Sequence, residues 1–413
     1  MDQLLSADGE EMSNKELAKG IHWVGAIDWD VRDFHGYSTL AGTTYNAFLI
    51  IDEKITLIDT VKRSHYQDMM HQIREIIDPE KIDYLIINHV ELDHAGALAE
   101  VMEAVKPEKL ICSPMGEKAI LEHFHRPDWP FEVVKTGEQL SIGQRTFYFL
   151  ETRMLHWPDS MFTFAMEDGI LFASDAFGQH LATSERFDDQ VPLSVVMDQA
   201  AKYYANILYL YNPLVRKLLA KVAELNLDIK MIAPDHGVIF RKHISEILTA
   251  YGEWSKNMFD EKALIIYDTM WHSTEKMAKA ISRGIEQEGV FAEMINLKVH
   301  HRSDVMTKVL DAGALVLGSP TLNNGLLPRM AGFLMYMRGL KPQNKIAASF
   351  GSYGWSGECV KLLNESLEDM RLELVHEGIR FKYVPTDDDL EECVAMGRII
   401  GKAVRERKLQ QES

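Results

Sequence analysis

Cysteine is scarce in this 413-residue chain. There are three, Cys112, Cys359 and Cys393, far apart and forming no C-x-x-C pair. That spacing excludes a disulfide framework, offers no thiolate metal site and fits a reducing cytoplasm. Positive charge is also short: 44 Lys and Arg stand against 62 Asp and Glu, a formal net charge of −18. Nucleic acids and anionic membrane surfaces are both held by clustered cations, so neither is an expected partner. Long apolar runs are missing as well, with nothing near the roughly 20 residues a membrane helix requires. Met1 to Glu11 is acidic rather than basic and has no apolar core of the kind a secretory leader carries. A soluble cytoplasmic protein with a small-molecule or protein partner is expected. No internal repeat or low-complexity segment is visible.

What is present is hydrophobic content of 46% spread over a length too great for one ordinary core, and the usual size of domains predicts two. In the first half, short β-branched runs (Ala47 to Ile51, Ile55 to Ile58) precede a helical pattern at Tyr66 to Ile77 and a further strand at Tyr84 to Asn88. That is a layered α/β rhythm. From Lys262 the rhythm changes. Three near-continuous apolar strands, Ala263 to Tyr267, Ala314 to Leu317 and Ile346 to Phe350, each run into a polar loop. Such strands separated by helix-length segments predict a doubly wound parallel sheet with helices on both faces. Gly252 to Glu261 is the natural boundary, giving domains at 1–258 and 262–405, and the polar end, Arg405 to Ser413, is expected to fray.

The densest chemistry lies in Asn88-His89-Val90-Glu91-Leu92-Asp93-His94, a strand running into a loop with four possible metal ligands. Three more follow apolar strands: His156 in Leu-His-Trp-Pro-Asp-Ser, Asp175 in Leu-Phe-Ala-Ser-Asp-Ala, and His236 in Ala-Pro-Asp-His-Gly. A single such residue is ordinarily a polar loop position, but the ordered set at strand ends predicts convergence on one sheet edge. Four imidazoles and three carboxylates gathered there are a set of potential metal ligands.

These residues resemble the metallo-β-lactamase fold, an αββα sandwich whose usual loop reads H-x-H-x-D-H. Glu91 departs from it, standing where the hydrolases have a second histidine; carboxylate in place of imidazole favours iron or manganese over zinc. With the later His156, Asp175 and His236 the pattern resembles the flavodiiron proteins. That resemblance implies one iron at His89, Glu91 and His156, the other at Asp93, His94 and His236, and Asp175 as the bridge. It also implies a position near the metals for His35 of Phe-His-Gly, without necessarily binding them, and His180 is a weaker candidate of that kind. His123 and His125 read as solvated loop, His300 and His301 as surface, and Trp157 and Tyr204 as packing.

In the second half, the strand ending at Tyr267 is followed by Thr269, Met270, Trp271, His272, Ser273 and Thr274 at the start of an amphipathic helix. Hydroxyls and free amides there can bind a phosphate without a positive side chain. With no P-loop lysine and no G-x-G-x-x-G, the ligand expected is a mononucleotide, FMN. Two further loops follow strands at the same edge. Pro320, Thr321, Asn323 and Asn324 can meet the ring edge and ribityl chain, while Ser352, Tyr353, Gly354 and Trp355 add aromatic contact. The arrangement is similar to flavodoxin, except that His272 stands where many flavodoxins have glycine.

The resemblance to flavodiiron proteins runs from His22 to about Lys402. It implies a flavodiiron reductase with FMN and a non-haem di-iron centre, acting on O2 or NO. A two-electron flavin beside two ferrous ions delivers the four electrons that take O2 to two waters; two NO to N2O and water require two. The resemblance further implies a head-to-tail homodimer, or a dimer of such dimers, that brings one subunit's FMN to the other's irons. No C-terminal C-x-x-C pair is present, so the donor is expected to be external, a rubredoxin first and a reduced deazaflavin second. The gas is not chosen by sequence. Two other readings are a zinc hydrolase with an accessory flavodoxin domain, against which Glu91 argues, and an electron-transfer flavoprotein whose metal site is a relic.

Overall fold

Strand-forming β-branched and aromatic segments alternate their side chains between two cores in the first part of the chain. The computed structural model describes residues 15–412, so the reading of Met1 to Glu11 lies outside it. The chain divides into two compact units, one of residues up to 35, 39–203 and 213–250, the other of 36–38, 204–212 and 251 onward.

The first unit contains a seven-stranded sheet ordered Glu16–Ala18, Ile21–Trp23, Phe48–Ile50, Thr56–Ile58, Tyr84–Ile87, Lys109–Cys112 and Phe131–Val133. A five-stranded sheet is ordered Gln139–Ser141, Thr146–Glu151, Met161–Ala165, Ile170–Phe172 and Met231–Ala233. Period-two alternation splits the first sheet's side chains. Phe48, Ile50 and Ile86 face inward, packing with Phe147, Phe149 and Phe172 of the second sheet. Leu49, Leu85 and Ile87 face outward, against Met69, Met70 and Ile73 of the helix Tyr66–Ile76 and Leu98 and Val101 of the helix Leu98–Val105. Fully burying one such side chain is worth about 1.5–3 kcal/mol. The fold is the αββα sandwich of the metallo-β-lactamase type.

The second unit is a parallel sheet ordered Phe291–Asn296, Asp260–Tyr267, Ala312–Gly318, Ile346–Tyr353 and Glu373–Leu374, with Ile379–Lys382 also paired to Ile346–Tyr353. The strand that comes second in sequence is at the edge and the first lies inside it, the doubly wound order of flavodoxins, with its ligand edge at the carboxyl ends.

Two boundaries differ from expectation. Gly252 lies within the helix Ile244–Ser255, and Asp260 already begins a strand; Trp254 packs its ring 5.1 Å from Tyr204, which holds that last turn. The polar tail is not frayed: the helix Asp387–Glu412 runs through it. Val404 is fully buried, Arg407 pairs with Glu373 at 2.5 Å, and Lys408 Nζ donates to the Phe259 carbonyl at 2.8 Å. Composition signalled a solvated end, whereas an apolar stripe and these contacts hold it down. Among the described residues no helix is long and apolar enough to cross a membrane.

Candidate di-metal centre and flavin site

The strands Ile170–Phe172 and Met231–Ala233 run parallel with Phe172 opposite Ala233. Asp175 and His236 therefore each stand three residues beyond paired positions, which brings both to one edge. The loop after Tyr84–Ile87 is tied to its neighbours by Asn88, whose amide N–H and side chain donate to Asp59 at 2.7 and 2.9 Å, and by Thr163, which donates to Asn88 at 2.7 Å.

All seven predicted ligands meet there. His89, Glu91, His156 and Asp175 offer atoms within 4.8 Å of one another, and so do Asp93, His94 and His236. Asp175 faces both sets. Its Oδ2 lies 2.8 Å from His156 Nε2 and 3.2 Å from His89 Nε2, while its Oδ1 lies 3.2 Å from His94 Nε2 and 3.5 Å from His236 Nε2. Glu91 Oε2 lies 3.1 Å from His156 and 3.3 Å from His89; Asp93 Oδ2 lies 3.2 Å from His236.

The far ring nitrogens of His89 and His236 are held from outside the cluster, as is usual for metal-bound histidines. Asp159 accepts from His89 Nδ1 at 2.9 Å and from the Val90 amide at 2.7 Å, and the Thr44 carbonyl lies 2.7 Å from His236 Nδ1. Asp235 lies 3.7 Å from His94 Nδ1. The sequence reading did not single these residues out; a carboxylate three residues past His156 was the available signal for Asp159. The buried Tyr203 hydroxyl bonds Asp175, and the buried His180 meets Thr43 at 2.9 Å with its ring 4.7 Å from that of His236. Trp157 packs edge-on against the His89 ring. His35, exposed over most of its ring, reaches Glu91 Oε1 at 3.2 Å, the oxygen turned away from His89 and His156. Elsewhere, His123 is exposed in the last turn of the helix Pro114–Phe124 rather than on a loop, and His125 is exposed on the loop just past it, as expected. His301 accepts from the Ser303 amide as the cap of the helix Arg302–Val309, more than a surface group.

Electrostatics fit two cations. Both oxygens of Asp93, one of Asp175 and both ring nitrogens of His94 are buried without a hydrogen bond, a costly state that metal coordination relieves. Burial alone would raise the carboxyl groups of Glu91 and Asp175, yet the facing imidazoles hold both well below the usual carboxylate range. Burial would lower the imidazoles, but Asp175 and Glu91 push His156 up to about 8, and Asp93, Asp235 and Asp175 push His94 up to about 10.

Those raised values fix a sign. In metal-free protein the stabilisation from protonated His156 and His94 is complete below 6.5, their ordinary value, and is lost as pH climbs through 8 and then 10. Melting of the metal-free protein is expected to fall between those limits, by the equivalent of about 2 kcal/mol for His156 alone. Metal-loaded protein, whose imidazoles are neutral ligands, is expected to lack that fall. A metal-free melting temperature that rises with pH in this window contradicts the arrangement.

In the second unit the carboxyl edge encloses a cavity of about 470 Å3. Met270, Trp271, Ser273, Pro320, Thr321, Asn323, Asn324, Ser352, Tyr353, Gly354 and Trp355 line it, and so do Leu322, Ser356, Tyr383 and Val384. The last two were not anticipated; they follow the strand Ile379–Lys382, whose alternation is too short to read. Asn323 and Asn324 have φ of 50° and 57°, with Leu322 and Gly325 exchanging backbone hydrogen bonds at 3.0 and 2.8 Å. This is a two-residue turn of the I′ type, which asparagine tolerates. Thr269, His272 and Thr274 do not line the cavity. Thr274 is tied to Ser352 at 3.0 Å, and His272 pairs with Glu275 at 2.7 Å. His272 has φ of 67°, the left-handed conformation that glycine adopts without cost, which accounts for glycine at this place in flavodoxins.

The Thr269 hydroxyl is buried without a partner beside the N-terminus of the helix Ser273–Gln287, a placement suited to a phosphate oxygen. Thr269→Val is expected to leave the flavin-free protein equally stable and to weaken FMN binding about tenfold, the worth of one hydrogen bond to a charged group. Fluorescence titration with FMN checks this, and unchanged affinity removes Thr269 from the phosphate site.

A sandwich with a binuclear metal edge, joined to a flavodoxin-type unit, defines a flavin-dependent metalloenzyme of the oxidoreductase class. The family model for the ODP family beta lactamase matches residues 43–237, and that for flavodoxin matches 265–397. The chain is 46% identical to a rubredoxin-oxygen oxidoreductase of Megalodesulfovibrio gigas, covering 95% of this chain and 99% of that protein. It is 45% identical to a nitric oxide reductase of Moorella thermoacetica, covering 94% and 98%. The crystal structure of the flavodiiron protein from Giardia intestinalis superposes with a TM-score of 0.93 at 34% identity, covering 97% and 99%. The chain belongs to the flavodiiron protein family, and its cofactors are FMN and a non-haem di-iron centre.

Proposed function

We propose that this protein reduces O2 to water and NO to N2O, drawing electrons from a rubredoxin through FMN, with a reduced deazaflavin as the second candidate donor. The observation that carries the reading is Asp175, whose two oxygens face two separate ligand sets, with Glu91 in the position that hydrolases give to histidine. Bound there, two ferrous ions would supply open positions for a diatomic together with reducing electrons, and FMN would supply electrons in pairs. His89, Glu91 and His156 would hold one iron and Asp93, His94 and His236 the other, with Asp175, which faces both sets, shared between them. His35, bonded to the outer oxygen of Glu91, orients that carboxylate from the solvent side.

Thr269, Met270, Trp271 and Ser273 serve the FMN phosphate end, and His272 and Thr274 hold that loop in shape through Glu275 and Ser352. Pro320, Thr321, Asn323, Asn324, Ser352, Tyr353, Gly354 and Trp355 serve the ring and ribityl chain. The metal domain runs to about residue 258, and the FMN domain runs from about 260 through the whole of the last helix. Trp271 and Trp355 at the flavin cavity are 87% and 85% exposed, and Leu92 and Met154 beside the metal ligands are exposed too. Apolar surface at both sites supports a head-to-tail homodimer, alone or paired into a tetramer, in which each FMN meets the partner's metals. The cytoplasm, with its reduced thiols, suits the three buried free cysteines.

Anaerobic turnover with each gas, using chemically reduced rubredoxin, tests the reading: consumption of both is expected, and inertness towards both overturns it. Two zincs and no flavin in protein purified without added metal overturns it equally.

A further inference from the structure

His94 turns its Nε2 to the metal edge, 3.2 Å from Asp175 Oδ1 and 3.4 Å from Asp93 Oδ1. A neutral imidazole that gives Nε2 to a metal carries its proton on Nδ1, and a buried N–H needs an acceptor. His89 and His236 have theirs at 2.9 and 2.7 Å, in Asp159 and the Thr44 carbonyl. His94 is fully buried, and its Nδ1 has no hydrogen bond among the described residues. What faces it is Asp235, 1% exposed, whose Oδ2 lies 3.7 Å away and is likewise buried without a hydrogen bond. A donor and an acceptor, each without a partner, point at each other.

The main chain on both sides is fixed. The Asp235 amide donates to the Ser174 carbonyl and the Asp235 carbonyl accepts the Asn46 amide, both at 2.8 Å. The buried Asn46 side chain donates to the carbonyls of Pro234 and Gly237 on either side, at 2.7 and 3.0 Å. Opposite, the His94 amide donates to the Glu91 carbonyl and the His94 carbonyl accepts the Thr60 amide, both at 3.0 Å. Only side-chain rotation is left free, and it has roughly 0.5–0.8 Å to cover between 3.7 Å and an ordinary N–H···O distance.

We propose that Asp235 is a positioning residue: its Oδ2 accepts the Nδ1 proton of His94 and so fixes that ring with Nε2 towards the iron of the Asp93, His94 and His236 set. The inference rests on the di-iron reading. Asp235 does for this set what Asp159 does for the other, giving each iron one histidine backed by a carboxylate, which makes the imidazole a more basic ligand. One turn then serves the same iron twice, with His236 as ligand and its neighbour Asp235 behind His94.

Full-length protein carrying FMN and loaded with ferrous iron, challenged with rising concentrations of an iron chelator, tests the proposal. Asp235→Leu is expected to weaken one iron per chain by about 10- to 100-fold, the range for loss of such a partner, while the other iron and the FMN content stay as in the parent. One of the two ferrous Mössbauer doublets is expected to change and the other to persist, a selectivity that general damage to the fold does not produce. Asp235→Asn, which keeps an oxygen acceptor but not the charge, is expected to fall between parent and Asp235→Leu. Both irons held as tightly in Asp235→Leu as in the parent, both weakened alike, or Asp235→Asn no tighter than Asp235→Leu each overturns the proposal. A parent that does not take up two irons overturns the di-iron reading itself, so the two failures are told apart.

Discussion

Asp175→Ala is expected to bring the metal content from two per chain to fewer than one and to lower reductase turnover by more than about 100-fold, the upper range for loss of a mere outer-shell partner. The size follows from geometry. One carboxylate supplies the negative charge that both ligand sets share, with four imidazole nitrogens 2.8 to 3.5 Å from its two oxygens. Alanine removes both ligand atoms at once and leaves Glu91 and Asp93 as the anions facing two divalent ions. The buried Tyr203 hydroxyl also loses its acceptor. FMN content is expected to stay at one per chain, because the flavin cavity is built on a separate core. Elemental analysis beside flavin absorbance reads both quantities. Two metals retained with turnover within about tenfold of the parent would remove Asp175 from the bridging role.

Glu91→His is expected to turn metal preference from iron towards zinc and to lower gas reduction by more than about 100-fold while leaving FMN reduction by the donor intact. Glu91 is a buried anion held well below the usual carboxylate range by His156 and His89 against the opposing effect of burial. Imidazole in its place removes one negative charge, softens the ligand set and leaves His35 without the oxygen it reaches at 3.2 Å. Growth in medium with both metals, followed by elemental analysis, decides the matter: iron retained over zinc in the variant means that some other residue sets the preference. The unaffected flavin reduction separates this outcome from general damage.

Much of the site could be read from residue order. His89 to His94 occupy a single loop, and His156, Asp175 and His236 each follow an apolar run, so strand ends were legible from period-two patterning and ligand type from chemistry. The flavin loops were legible for the same reason. Thr44, Asp235 and Tyr203 were not, because holding a ligand in place depends on which atom points at which ring, and nothing in a lone Asp or Tyr announces it; Asp159 offered only its place three residues past His156. Tyr383 and Val384 escaped because the four-residue strand before them carries too short a pattern.

The same contrast holds for the chain as a whole. Local order along the chain already specifies two α/β units, a hard-ligand metal set marked by Glu91, and a phosphate loop at a helix start, since each rests on neighbours within a few residues. Asp175 as the carboxylate facing both ligand sets rests instead on the pairing of Phe172 with Ala233 across distant segments. The order in the last helix rests on Glu373 and Phe259. Contacts between residues so far apart are set by sheet register and packing, which composition and periodicity do not encode.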